Sequence, residues 1–234
     1  YLKLEKTDKA IETYEQAISR DPSNEQYHSA LGQILYSEER YEEAVEQYRS
    51  AMEINQSAEN RYSYGEALLK VQNYSEAEYQ FNKVKSLDNE SYAGDYGLGK
   101  MYAQSENYEK AIEHFEAALK LDPTFYDAQA EIGYAYADIG DIEAARDVQE
   151  QLQENDENLG LTLKYYIDEK EPPQIAFAFA TSSFPYNAPN GYQVAAIDSY
   201  LENAGAEKSV TMEFLFTKPM DRSSIENRFN WSIG

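Results

Sequence analysis

The sequence predicts a mainly α-helical solenoid of helix-turn-helix repeats over residues 1–157, followed by a smaller β-rich segment. Three segments that begin at Tyr41, Tyr74 and Tyr108 align without gaps, and their first residues lie 33 and 34 positions apart. Each has apolar residues at i, i+3 and i+7, the spacing of one face of an α-helix. After about residue 158 this periodicity ends, and from residue 174 short apolar runs and apolar/polar alternation indicate strands.

The repeat has about five copies, the first of them truncated. Weaker copies of the aligned segment begin at Asp8 and Ile142, 33 residues before Tyr41 and 34 residues after Tyr108. An apolar stretch with a glycine precedes each of the later four copies, so we interpret each unit as two helices, called helix A and helix B in chain order. A glycine inside a helix costs about 1 kcal/mol relative to alanine, so glycines in one register predict close helix crossings. These glycines are Gly32, Gly65, Gly99 and Gly133.

The limits of the helices follow from local signals. Helix B is expected to end at Asp21-Pro22 and at Asp122-Pro123, because the residue before proline is disfavoured in the α region. Tyr1 falls late in helix A of the first unit, so most of that helix is missing. The sequence therefore predicts a fragment of a longer chain.

These features resemble the tetratricopeptide repeat (TPR) family. The 34-residue period, the Leu/Ile-Gly pair in helix A, the Tyr-x-x-Ala start of helix B as at Tyr108 and Ala111, and the Asp-Pro turn all match its pattern. The resemblance covers residues 1–157 and implies an α-solenoid that binds proteins or peptides without being an enzyme. Some positions depart from the pattern, which predicts looser packing at the ends of the array. Polar residues replace the early aromatic of helix A at His28, Arg61, Asp95 and Gln129, and Ile142 and Gln149 replace aromatics in the last unit.

The resemblance also implies a concave groove lined by helix A. Tyrosines there would offer flat, amphipathic contact area with little rotamer entropy to lose. The alternative is that tyrosine, with 22 copies, is simply frequent in this chain. The family's clamp for acidic C-terminal peptides needs several cations at these positions, whereas this sequence supplies Lys100, so we do not expect an acidic-tail ligand. The predicted groove residues are Gln33, Tyr36, Tyr62, Glu66, Tyr96, Lys100, Tyr134 and Asp138.

Residues 158–172 are predicted to form a capping helix and a linker. Leu159, Leu163 and Tyr166 have helical spacing, and the terminal repeat of a solenoid needs a cap. Pro172 and Pro173 then break the helix.

Residues 173–234 are predicted to be β-rich and Ig-like. The runs IAFAFAT and SVTMEFLFTKPM read as strands, with a helix predicted between them at 192–205. The last 25 residues resemble the opening of bacterial Ig-like domains of surface-layer and other exported proteins. An Ig sandwich needs about seven strands, and about three are predicted here, so the domain continues beyond residue 234 or another chain completes the sheet. The matching residues are Phe216, Lys218, Pro219, Met220, Asp221, Ser223, Ser224, Ile225 and Phe229.

The composition excludes several classes of function. A net charge of -23 repels nucleic acid and anionic lipid, and no apolar run approaches the roughly 20 residues of a membrane span. The chain has no cysteine, and His28 and His114 lie in different units without metal-ligand spacing, so we predict no metal site, cofactor or catalytic residue. The acidic excess is interpreted as a solvated face, with a basic partner or bound divalent cations as alternatives.

Four asparagines begin Asn-x-Ser sequons and are candidate N-glycosylation sites, with coincidence as the alternative. They are Asn55, Asn73, Asn89 and Asn230.

The sequence thus predicts a non-enzymatic protein-protein interaction scaffold that binds an extended peptide, another protein or copies of itself. The Ig-like match predicts a larger surface, extracellular or periplasmic protein, with a cytoplasmic location left open. The alternative is a structural subunit of an extracellular filament or surface assembly, built by subunit stacking or strand exchange. A third possibility is the non-catalytic part of an enzyme whose catalytic domain lies outside this sequence.

Overall fold

The computed structural model describes residues 2–171, 175–180 and 212–216. The chain divides into two compact units, Tyr1–Glu171 and Pro172–Gly234. The described part of the first unit consists of helices joined by short turns. They are α1 (Leu2–Arg20), α2 (Glu25–Ser37), α3 (Tyr41–Ile54), α4 (Ala58–Lys70), α5 (Tyr74–Leu87), α6 (Ala93–Gln104), α7 (Tyr108–Leu121), α8 (Tyr126–Ile139), α9 (Ile142–Asn155) and α10 (Glu157–Lys170).

The helices form a solenoid. Each helix packs against its neighbours in the chain, and α4 also contacts α6 while α8 also contacts α10. Helix A corresponds to α2, α4, α6 and α8, and helix B to α1, α3, α5, α7 and α9. The mainly α solenoid predicted from the period is therefore confirmed for the described residues.

The starts of helix B agree with the sequence prediction, except in the first unit. Helices α3, α5, α7 and α9 begin where the aligned segments begin. In the first unit the repeat register places Tyr1 late in helix A and the start of the helix B segment at Asp8, but residues 2–20 form one helix, α1. The segment LKLEK is made of strong helix formers and has no glycine or proline, so nothing local interrupts the helix.

The glycines of helix A lie where aromatic rings of helix B approach the backbone. A Cβ atom on Gly32 would be 3.0 Å from the Tyr48 ring, and one on Gly99 would be 2.5 Å from the Phe115 ring. At Gly133 the side chain that approaches the backbone is Leu163 of α10 and not an aromatic ring of helix B. The predicted close crossings are therefore confirmed, and the capping helix supplies the last one.

Three of the four polar residues at the early position of helix A are buried and paired. His28 Nδ1 lies 2.9 Å from Gln47 Oε1, and the corresponding partner pairs are Arg61 with Gln80 at 2.7 Å and Asp95 with His114 at 2.9 Å. Each pair joins helices A and B of one unit. Buried polar groups are tolerated when hydrogen-bonded.

At these three positions the departure from the family pattern leaves a buried, hydrogen-bonded pair, and looser packing at the ends of the array stays a prediction. In the last unit, Gln149 is also buried and donates to Gln153 Oε1 at 3.1 Å.

Each turn between helices A and B contains one residue with a left-handed backbone. Glu39, Gln72 and Glu106 have φ of 60°, 58° and 59°, whereas the last unit has Gly140 with φ of 91°. A side chain at such a position costs roughly 1–2 kcal/mol, and glycine avoids this at a smaller entropic cost.

We expect Glu106→Gly to raise the free energy of unfolding by about 0.5–1 kcal/mol, because glycine relieves the left-handed strain. Gly140→Ala, the reverse change at the matched position, should lower it by a similar amount. Urea denaturation of both variants measures this. A loss of stability in Glu106→Gly would contradict the argument.

The stability of the array should decline in alkaline solution. Burial raises the pKa of Tyr48 to about 12, compared with about 10 in an unfolded chain. As the pH rises from about 10 to about 12, the unfolded state loses this proton first, so the free energy of unfolding falls. We expect Tyr48→Phe to match the parent at pH 8 and to show a shallower decline above pH 10, measured by chemical denaturation. Equal slopes in the two proteins would refute this.

The second unit is described at two strands, β1 (Ile175–Ala180) and β2 (Met212–Phe216). They pair antiparallel, with Ala178 opposite Phe214 and a register irregularity between Ile175 and Phe177. Two paired strands do not show an Ig-like domain. The helix predicted at 192–205 and the motif from Lys218 to Phe229 lie outside the described residues.

Candidate functional site

The predicted groove residues all lie on helix A of successive units. Gln33 and Tyr36 belong to α2, Tyr62 and Glu66 to α4, and the later four to α6 and α8. Gln33 is exposed and the other seven are half-buried. Half-buried side chains at one register form a surface that is both packed and accessible.

The first cavity lies between α2 and α4. It has a volume of about 170 Å³ and is lined by Tyr36, Tyr62 and Glu66, together with Tyr48 and Ser63. The structure thus brings three predicted residues to one place. Gln33 lines a second, more polar cavity of about 450 Å³, which shares Tyr48 and Ser63 with the first.

An ion pair joins the middle of this surface. Lys100 Nζ donates to Glu66 Oε2, which connects α6 with α4 across two units. The same ammonium lies 5.5 Å from the centre of the Tyr96 ring. Within the described residues, Glu66 Oε1 is buried and accepts no hydrogen bond. The one cation of the predicted set is therefore already neutralised, and an unfilled acceptor remains beside it.

Tyr62 and Tyr96 also contribute to the core. The ring of Tyr62 lies 5.6 Å from Phe81, and that of Tyr96 lies 5.7 Å from Phe115 and 4.6 Å from Phe125. Burial, and then the charges of neighbouring carboxylates, raise the pKa of both phenols. Substitution of either ring should therefore affect stability as well as any contact made in the groove.

A third cavity, which we call the C-terminal cavity, lies where α10 meets α8. Its volume is about 500 Å³. Tyr134 and Asp138 are predicted groove residues that line it, but the sequence analysis did not predict most of its other lining residues. The remaining lining residues are Ala103, Gln104, Tyr108, Glu131, Ala135, Thr162, Tyr165, Tyr166 and Glu169.

Ion pairs and rings hold α10 against α8 beside this cavity. Asp138 Oδ1 lies 2.6 Å from Lys170 Nζ and accepts a hydrogen bond of 2.8 Å from the Tyr166 hydroxyl. The Tyr166 ring is 4.9 Å from Tyr134. Two adjacent tyrosines, Tyr165 and Tyr166, in the capping helix are the sequence feature that could have indicated this site. Neighbouring residues of a helix point in different directions, so one buried face cannot cover both rings.

Burial raises the pKa of Glu131, and the positive charge of Lys100 partly offsets this increase. This carboxylate is half-buried at the C-terminal cavity and forms no ion pair with another described residue. A nearby cation would stabilise its charged form.

The histidines have structural partners. His28 bonds to Gln47, while His114 bonds to Asp95 and stacks on Tyr102 at 5.4 Å. In the part of the chain that the structure describes, no cluster of three His, Asp or Glu side chains is arranged to hold a metal ion. The same residues include no helix with the length and apolarity needed to cross a membrane.

Three of the four sequons are placed by the structure. Asn55, Asn73 and Asn89 are exposed and lie at or next to helix ends. Asn230 lies outside the described residues. These positions are accessible, and their use as glycosylation sites stays a prediction.

Three family models match parts of the chain. The model described as anaphase-promoting complex, cyclosome, subunit 3 matches residues 3–84, a TPR repeat model matches residues 99–140, and a tetratricopeptide repeat model matches residues 126–159. No curated protein sequence matches at a significant level.

Several solved structures share the fold of the helical part of this chain. A MamA protein is 25% identical with a TM-score of 0.57, over 66% of this chain and 85% of that one. MamA of Desulfovibrio magneticus RS-1 is 20% identical with a TM-score of 0.58, over 67% and 89%. A tetratricopeptide repeat protein from Parabacteroides merdae is 19% identical with a TM-score of 0.64, over 71% and 66%.

The family models thus identify tetratricopeptide repeats over residues 99–159 of this chain. Proteins built from them are interaction scaffolds, typically non-enzymatic, that bind peptides or proteins.

Proposed function

We propose that this chain is a non-enzymatic scaffold that binds an extended peptide segment of a partner protein along helix A. The observation that supports this most directly is the continuous line of half-buried polar and aromatic side chains from α2 to α8. Its two ends open into cavities lined by Tyr36 and Tyr62 and by Tyr134.

The physical basis is a surface that is ordered before a ligand arrives. Tyr62, Tyr96 and Tyr134 each contact another aromatic ring, so they lose little conformational entropy on binding. Their hydroxyls and the exposed Gln33 offer polar groups to a peptide backbone. Apolar contact area and hydrogen bonds therefore occur together.

A random peptide library selected on the full chain tests the proposal. We expect the paired change Glu66→Ala and Lys100→Ala to weaken the selected peptides at least tenfold in fluorescence anisotropy. Arg40→Ala with Glu43→Ala is the matched control, because it removes an ion pair of 2.6 Å that is exposed at the start of α3. Binding by the control should change less than twofold. Equal binding by both variants, with melting temperatures confirming the fold, would refute the groove.

The setting of the scaffold remains a further proposal. The Ig-like match motivates an exported surface protein, and the open ends of a solenoid motivate the filament alternative. Peptide mass spectrometry of the protein from its native source tests the first, because glycan on Asn55, Asn73 or Asn89 requires export. Light scattering over a range of concentrations tests the second, and a constant monomer mass would contradict it.

A further inference from the structure

The C-terminal cavity has a composition that a general peptide groove does not require. Tyr108, Tyr134, Tyr165 and Tyr166 line it, together with three carboxylates and no lysine or arginine. A volume of about 500 Å³ falls within the range of small-ligand sites and exceeds what one amino-acid side chain occupies. The walls are therefore aromatic and negatively charged.

Two of the three carboxylates have no cation of their own. Asp138 is neutralised by Lys170 at 2.6 Å. Glu131 and Glu169 form no ion pair with another described residue, and Lys100, the cation that acts on Glu131 from nearby, is paired with Glu66. Glu131 is half-buried and Glu169 is exposed. The half-buried carboxylate is stabilised by a paired cation, and the exposed one adds negative charge at the same cavity, so this cavity favours a positively charged occupant.

The same helices already hold lysines in this kind of site. The Lys100 ammonium lies between Glu66 and the Tyr96 ring, whose centre is 5.5 Å away. The Lys170 ammonium lies between Asp138 and the Tyr166 ring, whose centre is 5.2 Å away. In both, a cation is held by a carboxylate and an aromatic face, a combination in which ion pairing and cation-π attraction act together.

The C-terminal cavity, whose Asp138 and Tyr166 hold Lys170, has two further pairs of a tyrosine and a carboxylate without a lysine. Tyr165 and Glu169 are four residues apart on α10, and Glu131 and Tyr134 are three apart on α8, so each ring lies next to a carboxylate on its helix surface. Tyr165 is 70% exposed, which leaves its face open to a ligand.

We infer that the C-terminal cavity binds a cationic side chain, arginine or lysine, of the partner peptide. The inference rests on the proposed function, because the cation belongs to a peptide that binds along helix A. It adds a preference for peptides with arginine or lysine at the position that reaches this cavity. An anionic side chain or a phosphate would be repelled by Glu131 and Glu169, the two carboxylates that no described cation pairs with. The cavity at the other end, lined by Tyr36 and Tyr62, would then receive a different part of the same peptide.

The test uses small probes and the full chain. N-acetyl-arginine methylamide and its neutral analogue N-acetyl-norleucine methylamide are titrated while tyrosine ring signals are followed by NMR at constant ionic strength. We expect the arginine probe to bind at least tenfold more tightly than norleucine. Glu131→Gln and Tyr165→Ala should each weaken the arginine probe at least fivefold.

Matched controls exclude a diffuse attraction to the acidic surface. Glu116→Gln removes an exposed charge from α7, and Tyr79→Ala removes an exposed tyrosine from α5 that lines none of the three cavities. Both should bind the arginine probe as the parent does. Equal affinity for arginine and norleucine would overturn the inference, and so would equal losses in the controls and the cavity variants.

The outcomes separate this inference from the proposed function. If the arginine probe fails to bind while selected peptides bind and lose affinity with Glu66→Ala and Lys100→Ala, the cation site is refuted and the groove stands. If the probe binds as expected while no peptide is selected, the groove is refuted and the cavity remains a cation site.

Discussion

Replacing Phe81 with alanine is expected to lower the free energy of unfolding by about 3–5 kcal/mol. The ring is fully buried and lies between two units. Cβ atoms placed on Gly65 of α4 and on Gly97 of α6 would be 2.7 Å and 2.5 Å from its Cε1. Helix A backbones on either side hold the ring, so they can collapse only partly into the space it leaves.

Urea denaturation measures this loss, with Tyr79→Ala as the matched control. Tyr79 is on the same helix but is 51% exposed, so its removal should change the free energy of unfolding by less than about 0.5 kcal/mol. Similar values for the two variants would show that the ring at Phe81 is not a central packing element. A changed denaturant slope would show that the array no longer unfolds as one unit.

Replacing Gly97 with alanine is expected to lower the free energy of unfolding by about 1–3 kcal/mol, because the added methyl group overlaps the Phe81 ring. At an open helical position the same change would add about 1 kcal/mol of stability, so the sign itself reports the contact. Gly32→Ala, whose methyl group meets the Tyr48 ring at 3.0 Å, should cost less.

A double-mutant cycle makes this prediction sharper. In a Phe81→Ala background, Gly97→Ala should become neutral or stabilising, because the overlapping ring is gone. Gly94→Ala is the control, since its methyl group would lie 2.7 Å from the backbone nitrogen of Lys85 and no side-chain truncation relieves that contact. If Gly97→Ala costs the same with and without the ring, the glycine is present for another reason.

The regular part of the fold could be predicted from the sequence. The starts of α3, α5, α7 and α9 and the stops at Pro22 and Pro123 follow from local preferences that act within one unit. Apolar periodicity shows which face of a helix is buried, and the glycine register shows where two helices cross closely. The repeat period is wrong for residues 2–7, where it predicts a helix end, because the helix-forming residues of that segment outweigh the register.

The candidate site could be predicted only in part. The repeat register predicted which residues of helix A line the groove. The structure places three of them, Tyr36, Tyr62 and Glu66, around one cavity. The register did not show that the Lys100 charge is neutralised by Glu66, or that Tyr62 and Tyr96 also pack on core phenylalanines. A repeat pattern assigns positions to a face, whereas the partners of a side chain are set by the residues that the next unit presents.

The sequence by itself thus determined the class of fold, its repeat length and most of its helix boundaries, because these depend on interactions between residues that are close in the chain. Only the tertiary structure decided the pairing of Asp95 with His114 inside the array and the joining of Glu131 with Tyr165 around one cavity. Such contacts join different helices, and they form where packing excludes water between them. The charge and the aromatic faces that a ligand would meet are therefore properties of the assembled solenoid.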